Sequence, residues 1–125
     1  MTKIVLADDE PDIVDSTSMV LETNGFEVVT VSDATKISDV VLREQPDILL
    51  QDVYMPKLDL DQLISGLRAR PELRRMRILV FTASAEAEDI TRRTGADGYV
   101  RKPFEADRIK ETLGKFLSAV PPRGR

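Results

Sequence analysis

Five short apolar runs divide the chain, and each is near strand length and rich in Val, Ile or Leu. In order they are KIVLA (3–7), FEVVTV (26–31), PDILLQD (46–52), RILVFT (77–82) and GYVRK (98–102). Residues 4–7, 48–50 and 78–81 are almost continuously apolar, which is typical of strands buried on both faces. The pattern therefore predicts five strands.

Between these runs, apolar residues recur at spacings of three and four, which predicts amphipathic helices. These positions are Ile13, Val14, Thr17, Val20 and Leu21, then Ile37, Val40 and Val41, then Leu60, Leu63, Ile64 and Leu67, and finally Ile109, Leu113, Phe116 and Leu117. Asn24-Gly25, Pro46, Pro71 and Gly95 supply signals that end the first four helices. The fourth helix, within EAEDITRRTG (86–95), has Ile90 as its only large aliphatic residue, so it is expected to bury little surface and to shift easily.

Strands that alternate with helices predict an α/β fold: a doubly wound parallel sheet with right-handed crossovers and helices on both faces. A length of 125 residues and an apolar content of 42% suit one domain with a real core. We expect that domain to span residues 1–120, with PPRGR (121–125) as a flexible tail or the start of a linker.

Composition restricts the chemistry that the chain can perform. A net charge of −4 argues against direct binding of nucleic acid, which needs a surplus of Lys and Arg. There is no Cys for a thiolate or disulfide and no His for a base, triad or metal. We see neither a signal peptide nor a segment as long as the roughly 18 apolar residues of a membrane span, so a cytoplasmic location is expected.

Polar residues gather where the predicted strands end, which is where open parallel sheets carry their functional sites. Asp8 and Asp9 follow the first strand, Asp52 the third, Thr82 the fourth and Lys102 the fifth. Two carboxylates about 4 Å apart repel by roughly 4 kcal/mol at an effective dielectric near 20, so the cluster favours a bound cation. Oxygen ligands alone suit Mg²⁺, and an ionised Asp beside Mg²⁺ can accept a phosphoryl group.

Each of these residues also has a simpler structural interpretation. Asp8 and Asp9 suit the start of a helix, Asp52 a turn, and Thr82 an ordinary strand position. Lys102 suits a solvated strand end. The arginine-rich stretch 68–77 is interpreted as a solvated helix end and loop, with a basic partner surface as the alternative.

Four motifs resemble the receiver domain of two-component response regulators, and the resemblance runs from about residue 3 to 118. They are VLADDEPDI, PDILLQDVYMP, VFTA and GADGYVRKPF, in that order along the chain. The resemblance implies a flavodoxin-like, three-layer α/β/α fold with strand order 2-1-3-4-5. It also implies a signalling domain that promotes only its own phosphorylation and dephosphorylation, not an enzyme.

By this resemblance, Asp52 is the phosphoacceptor. Asp8, Asp9, Asp52 and the backbone carbonyl of Tyr54 are the implied ligands of Mg²⁺, with Mn²⁺ able to substitute. Lys102 is expected to bridge to the phosphoryl oxygens. No other cofactor is expected.

The resemblance further implies a conformational switch. Thr82 is the switch hydroxyl and Tyr99 the switch aromatic, although a strand Tyr at the edge of a core is also commonplace. The bond from Lys102 to Pro103 is often cis in this family. The expected output surface is the fourth helix, fifth strand and fifth helix, which also allows a homodimer for which Arg92, Arg93 and Asp97 are a partial charge pattern.

The expected partners are a sensor histidine kinase or a histidine-phosphotransfer protein, because the chain has no His of its own, and an unidentified downstream protein. A phosphatase of the haloacid dehalogenase type is disfavoured, since Tyr54 stands where its second Asp belongs. An FMN carrier is disfavoured because Asp8, Asp9 and Glu10 repel phosphate. A receiver used as a phosphorylation-independent interaction module remains the alternative.

The sequence departs from the family pattern in two places. Lys57 and Leu60 stand where the family often has Gly, which affects the loop after the third strand. Gln51 stands in an otherwise apolar strand where the family usually has an aliphatic residue. A buried Gln51 needs a hydrogen-bond partner or a place at the edge of the core.

Overall fold

The computed structural model describes residues 1–103 and 106–118, so the predicted tail at 121–125 lies outside the described residues. The strands are β1 (Lys3–Ala7), β2 (Glu27–Val31), β3 (Ile48–Asp52), β4 (Arg77–Thr82) and β5 (Gly98–Arg101). The helices are α1 (Pro11–Thr23), α2 (Ile37–Glu44), α3 (Leu60–Arg68), α4 (Ala87–Thr94) and α5 (Ile109–Ser118). The predicted alternation is confirmed, although the apolar runs overstate β2, β3 and β5 by one or two residues.

All five strands are parallel, and their order in the sheet is β2-β1-β3-β4-β5. Alternate residues of each buried strand enter two separate cores. One core joins α1 and α5 to one face of the sheet, and the other joins α2, α3 and α4 to the opposite face. The predicted three-layer, doubly wound fold is confirmed.

Helices α1, α2 and α4 are each followed by a left-handed residue, where the chain turns sharply. Gly25 and Gly95 have φ of 91° and 81° after α1 and α4, as their positions predict. Gln45 ends α2 with φ of 44° without the help of glycine. Helix α4 buries only Ala87 and Ile90, in agreement with its expected light anchoring.

The interpretation of residues 68–77 as a solvated segment is wrong at both ends. Arg68 is half-buried, and its Nη2 lies 2.8 Å from Asp97 Oδ2. Burial lowers the pKa of Arg68 to about 10. Arg77 is buried at the start of β4, where its Nε donates to the carbonyl of Phe116 at 2.9 Å. These two arginines therefore anchor the fold, because each bonds a partly buried acceptor far along the chain.

Within residues 1–103 and 106–118, none of the helices combines the length and the hydrophobicity that crossing a bilayer requires.

Candidate functional site

Polar side chains from several strands lie together at the carboxyl edge of the parallel sheet. Asp8 follows β1, and its N–H donates to the carbonyl of Val31 at 3.2 Å, which continues the pairing of β1 with β2. Asp52 is the last residue of β3. The N–H of Lys102 donates to the carbonyl of Thr82 at 2.9 Å, so β5 runs beside β4 up to Lys102. The predicted juxtaposition of these strand ends is confirmed.

Lys102 lies between two buried carboxylates. Its Nζ is 2.8 Å from Asp8 Oδ2 and 3.1 Å from Asp52 Oδ1. The ammonium also lies 4.7 Å from the centre of the Phe81 ring. Asp8 is fully buried and Asp52 only 4% exposed, so these ion pairs are shielded from water. The interpretation of Lys102 as a solvated strand end is thereby excluded.

A third carboxylate completes the cluster. Asp8, Asp9 and Asp52 each offer one oxygen, and these oxygens lie within 4.8 Å of one another. This limit is close to the roughly 4 Å that separates opposite oxygen ligands of Mg²⁺. Asp8 Oδ1 also accepts the N–H of Glu10 at 3.0 Å, which fixes the turn into α1. The donor set therefore fits a hard divalent cation.

Burial dominates the electrostatics of Asp52 and raises its pKa from 3.8 to about 6. The charge of Lys102 opposes this rise, the carboxylate of Asp8 adds to it, and the hydrogen bonds from Lys102 and the Tyr54 N–H oppose it again. For Lys102, burial favours the neutral amine, but its contacts with Asp8 and Asp52 outweigh burial and raise its pKa. Near neutral pH the site therefore holds an ionised acceptor beside a charged ammonium.

Thr82 is buried at the neighbouring strand end, and its hydroxyl accepts the N–H of Ser84 at 3.1 Å. Tyr99 is half-buried on β5 and packs against the core beneath α4. The guanidinium of Arg101 lies 5.4 Å from the centre of the Tyr99 ring, and its Nη1 donates to the Ser84 carbonyl at 2.7 Å. Thr82 and Arg101 thus both bond Ser84, in the β4–α4 loop (residues 83–86).

Arg101 was not singled out from the sequence. The sequence feature that could have identified it is the period of two in a strand, which places residues 99 and 101 on the same side of β5. The Lys102–Pro103 peptide bond is cis, as the resemblance implied. The Tyr54 side chain is 70% exposed beside the site, while its N–H bonds the Asp52 carboxylate.

Comparison with known proteins agrees with this geometry. The family model for the response regulator receiver domain matches residues 4–114. The alkaline phosphatase synthesis transcriptional regulatory protein PhoP of Bacillus subtilis (strain 168) is 34% identical over an alignment 129 residues long, which covers 95% of this chain and 51% of that protein. The chain thus spans about half the length of that relative.

Two solved structures are similar throughout. The Vibrio cholerae chemotaxis protein CheY4 matches with a TM-score of 0.83 and 27% identity, covering 94% of this chain and 99% of that one. The receiver domain of sensor histidine kinase PA1611 from Pseudomonas aeruginosa PAO1 matches with a TM-score of 0.82 and 26% identity, covering 93% of this chain and 97% of that one. The latter structure holds a magnesium ion coordinated in its active site cleft.

The family match covers most of the chain, and the acidic pocket of Asp8, Asp9 and Asp52 lies at the expected edge of the sheet. The chain belongs to the response regulator receiver domain family, whose members are signalling modules of two-component systems and not conventional enzymes.

Proposed function

We propose that Asp52 accepts a phosphoryl group from a phosphohistidine of a sensor histidine kinase or a histidine-phosphotransfer protein. A carboxylate oxygen of Asp52 attacks phosphorus, the P–N bond of the donor breaks, and the departing imidazole nitrogen keeps the electron pair and takes up a proton. The product is an aspartyl phosphate. The observation that carries this proposal is the placement of Lys102 Nζ within 3.1 Å of Asp52 and 2.8 Å of Asp8, beside Asp9.

The surrounding residues have defined tasks in this proposal. Asp8, Asp9 and Asp52, with the carbonyl of Tyr54, would hold Mg²⁺, with Mn²⁺ as a substitute. When bound, such an ion offsets the negative charge on the transferring group. As the phosphoryl group is transferred to Asp52, Lys102 exchanges its contact with the Asp52 carboxylate for one with a phosphoryl oxygen, because its ammonium already lies at hydrogen-bond distance from the acceptor.

Phosphorylation is proposed to act on the β4–α4 loop. When the Thr82 hydroxyl turns toward a phosphoryl oxygen, it gives up its hydrogen bond from the Ser84 N–H. Arg101 would connect that movement to Tyr99, because it bonds the Ser84 carbonyl and lies over the Tyr99 ring. Helix α4 packs on the core through Ile90 as its one large aliphatic side chain, so a change in its position costs little. The proposed output surface is therefore α4, β5 and α5.

The downstream target is proposed to respond to this surface. The Bacillus relative is named a transcriptional regulatory protein and extends well beyond the matched region. We propose that residues 1–120 act as a receiver that controls a separate protein partner or an attached domain, in the cytoplasm. A homodimer through the same surface stays a prediction, and Asp97 of its expected charge pattern is engaged within the chain by Arg68.

The proposal is tested with fluoroberyllate, a stable mimic of the phosphoryl group, added with Mg²⁺ to isotopically labelled protein. Amide chemical shifts at Asp52, Thr82 and Tyr99 are expected to change with the wild type and not with Asp52→Asn. Asp15→Asn, which removes an exposed acid of α1 outside the site, is the matched control and should respond like the wild type. Shifts that are confined to the loops around Asp52 would contradict the switch, and no binding would favour the phosphorylation-independent module.

A further inference from the structure

Gln51 is a polar residue in the middle of the sheet, directly before the proposed phosphoacceptor. It is fully buried, and its neighbours across the sheet are Ala7 of β1 and Val80 of β4. Its strand places it on the face that packs against α2, α3 and α4, opposite to the face that Asp52 takes. An amide in this apolar setting requires a reason, because an aliphatic side chain would fill the same space without polar atoms.

The contacts of Gln51 lead to the turn that carries the site. Its Nε2 donates to the backbone carbonyl of Asp52 at 2.9 Å and lies 3.4 Å from the sulfur of Met55. Both neighbours are acceptors, so the NH₂ group must face them and the oxygen must face away. Among the described residues, Oε1 has no hydrogen-bond partner although it is buried. The side chain therefore satisfies the turn and leaves its own oxygen unsatisfied.

Residues 52–55 form the segment on which the proposed cation site depends. The Tyr54 N–H donates to the Asp52 carboxylate, and the Tyr54 carbonyl is the proposed backbone ligand. Gln51 bonds this segment at its first residue, through the Asp52 carbonyl, and contacts it at its last, through Met55. A shift of the segment would move Tyr54, whose own side chain is too exposed to hold it in place.

We propose that Gln51 is a positioning residue that holds residues 52–55 in the geometry required for Mg²⁺ binding. This inference rests on the proposed function, since it concerns the same site. Replacing a residue that orients metal ligands without binding the metal itself typically weakens metal affinity by about 10- to 100-fold. An unpaired buried acceptor is a cost in stability that functional sites can carry and that an ordinary core position avoids.

The test compares Gln51→Met with Leu49→Met. Methionine keeps the length of the Gln51 side chain but has no N–H donor, and Leu49 lies on the same strand and face, two residues from Gln51. Mg²⁺ affinity is measured by isothermal titration calorimetry, and thermal unfolding is followed in EDTA. Gln51→Met is expected to bind Mg²⁺ about 10-fold more weakly, whereas Leu49→Met binds it like the wild type.

The melting temperature of Gln51→Met is expected to stay close to that of the wild type. Methionine removes the unpaired Oε1 but leaves the Asp52 carbonyl without its donor, so the two changes oppose each other. Amide exchange at Tyr54, measured without metal, is expected to accelerate in the same variant, because the turn is no longer bonded to Gln51. Gln51→Leu, which removes the donor with a different shape, should reproduce the loss of affinity.

An Mg²⁺ affinity within twofold of the wild type in both Gln51 variants would overturn the proposal. A loss of affinity that follows the melting temperature equally in Leu49→Met and Gln51→Met would also overturn it, because it would reveal a general effect of core stability. If the wild type binds no Mg²⁺, the proposed function itself fails and this inference fails with it.

Discussion

Asp52→Asn is predicted to stabilise the metal-free protein at neutral pH, although it removes the proposed acceptor. Burial raises the pKa of Asp52 from 3.8 to about 6, so the folded protein holds this proton more tightly than the unfolded chain. Stability therefore falls as the pH rises from about 4 to about 6, and the full penalty of the charged carboxylate is present above that range. At about 1.4 kcal/mol for each pKa unit, the penalty is about 3 kcal/mol before solvent screening is considered.

Asparagine carries no charge at any of these pH values, and Lys102 keeps Asp8 as its partner in the variant. After allowance for screening and for the weakened bond to Lys102, we expect Asp52→Asn to be about 2 kcal/mol more stable than the wild type near pH 7.5. The difference should vanish near pH 4, where Asp52 is largely protonated in the folded wild type and its charge penalty is absent.

Urea unfolding in EDTA, followed by far-UV circular dichroism at about pH 4 and about pH 7.5, measures both differences. Asp15→Asn removes the same charge from an exposed position on α1 and should stay within about 0.5 kcal/mol of the wild type. Millimolar Mg²⁺ should stabilise the wild type and narrow its difference from Asp52→Asn. A gain in unfolding free energy that is equal at both pH values, or no gain at all, would refute the account of Asp52 as a carboxylate whose charged form is destabilised by burial.

Three further predictions concern neighbouring features. Lys102→Met removes the cation between the two acids and should raise the pKa of Asp52 above about 6, and a lower value in an NMR titration would contradict the geometry. Asp97→Ala leaves Arg68 half-buried without its carboxylate and should destabilise the fold by about 3 kcal/mol in urea unfolding, so a loss of less than about 1 kcal/mol would count against this anchor. Gly98→Ala places a Cβ against the ring of Phe116 and should cost about 1 to 3 kcal/mol of unfolding free energy, whereas an unchanged midpoint would show that the ring moves freely.

The sequence predicts the strand and helix order because the periodicity of buried positions is strong throughout the chain. Continuous apolar runs identified strands buried on both faces, and the observed sheet requires both faces to be apolar. The limits of the elements were less predictable. Pro46 indicates the end of helix α2, but not that the residue after the helix, Gln45, is left-handed with φ of 44°. Lys57 likewise adopts φ of 64° where the family often has Gly.

The candidate site could be predicted in part because strand ends converge in any parallel sheet. That rule brought Asp8, Asp52 and Lys102 together without knowledge of their distances. Long side chains were harder to place, because Arg68 and Arg77 look solvated in a charged segment, yet both bond to elements distant in sequence. The contacts of Gln51 depend on the path of the turn after β3, which no local pattern encodes.

The central claim, that Asp52 is an Mg²⁺-dependent phosphoacceptor, is tested most directly by intact mass spectrometry after incubation with acetyl phosphate. The account predicts one phosphoryl adduct on the wild type and on Asp15→Asn with Mg²⁺ present, and none on Asp52→Asn or in EDTA. An adduct that persists in Asp52→Asn would contradict the assignment of the acceptor. Absence of any adduct on the wild type, together with failure of fluoroberyllate to bind, would contradict the phosphoryl-transfer function itself.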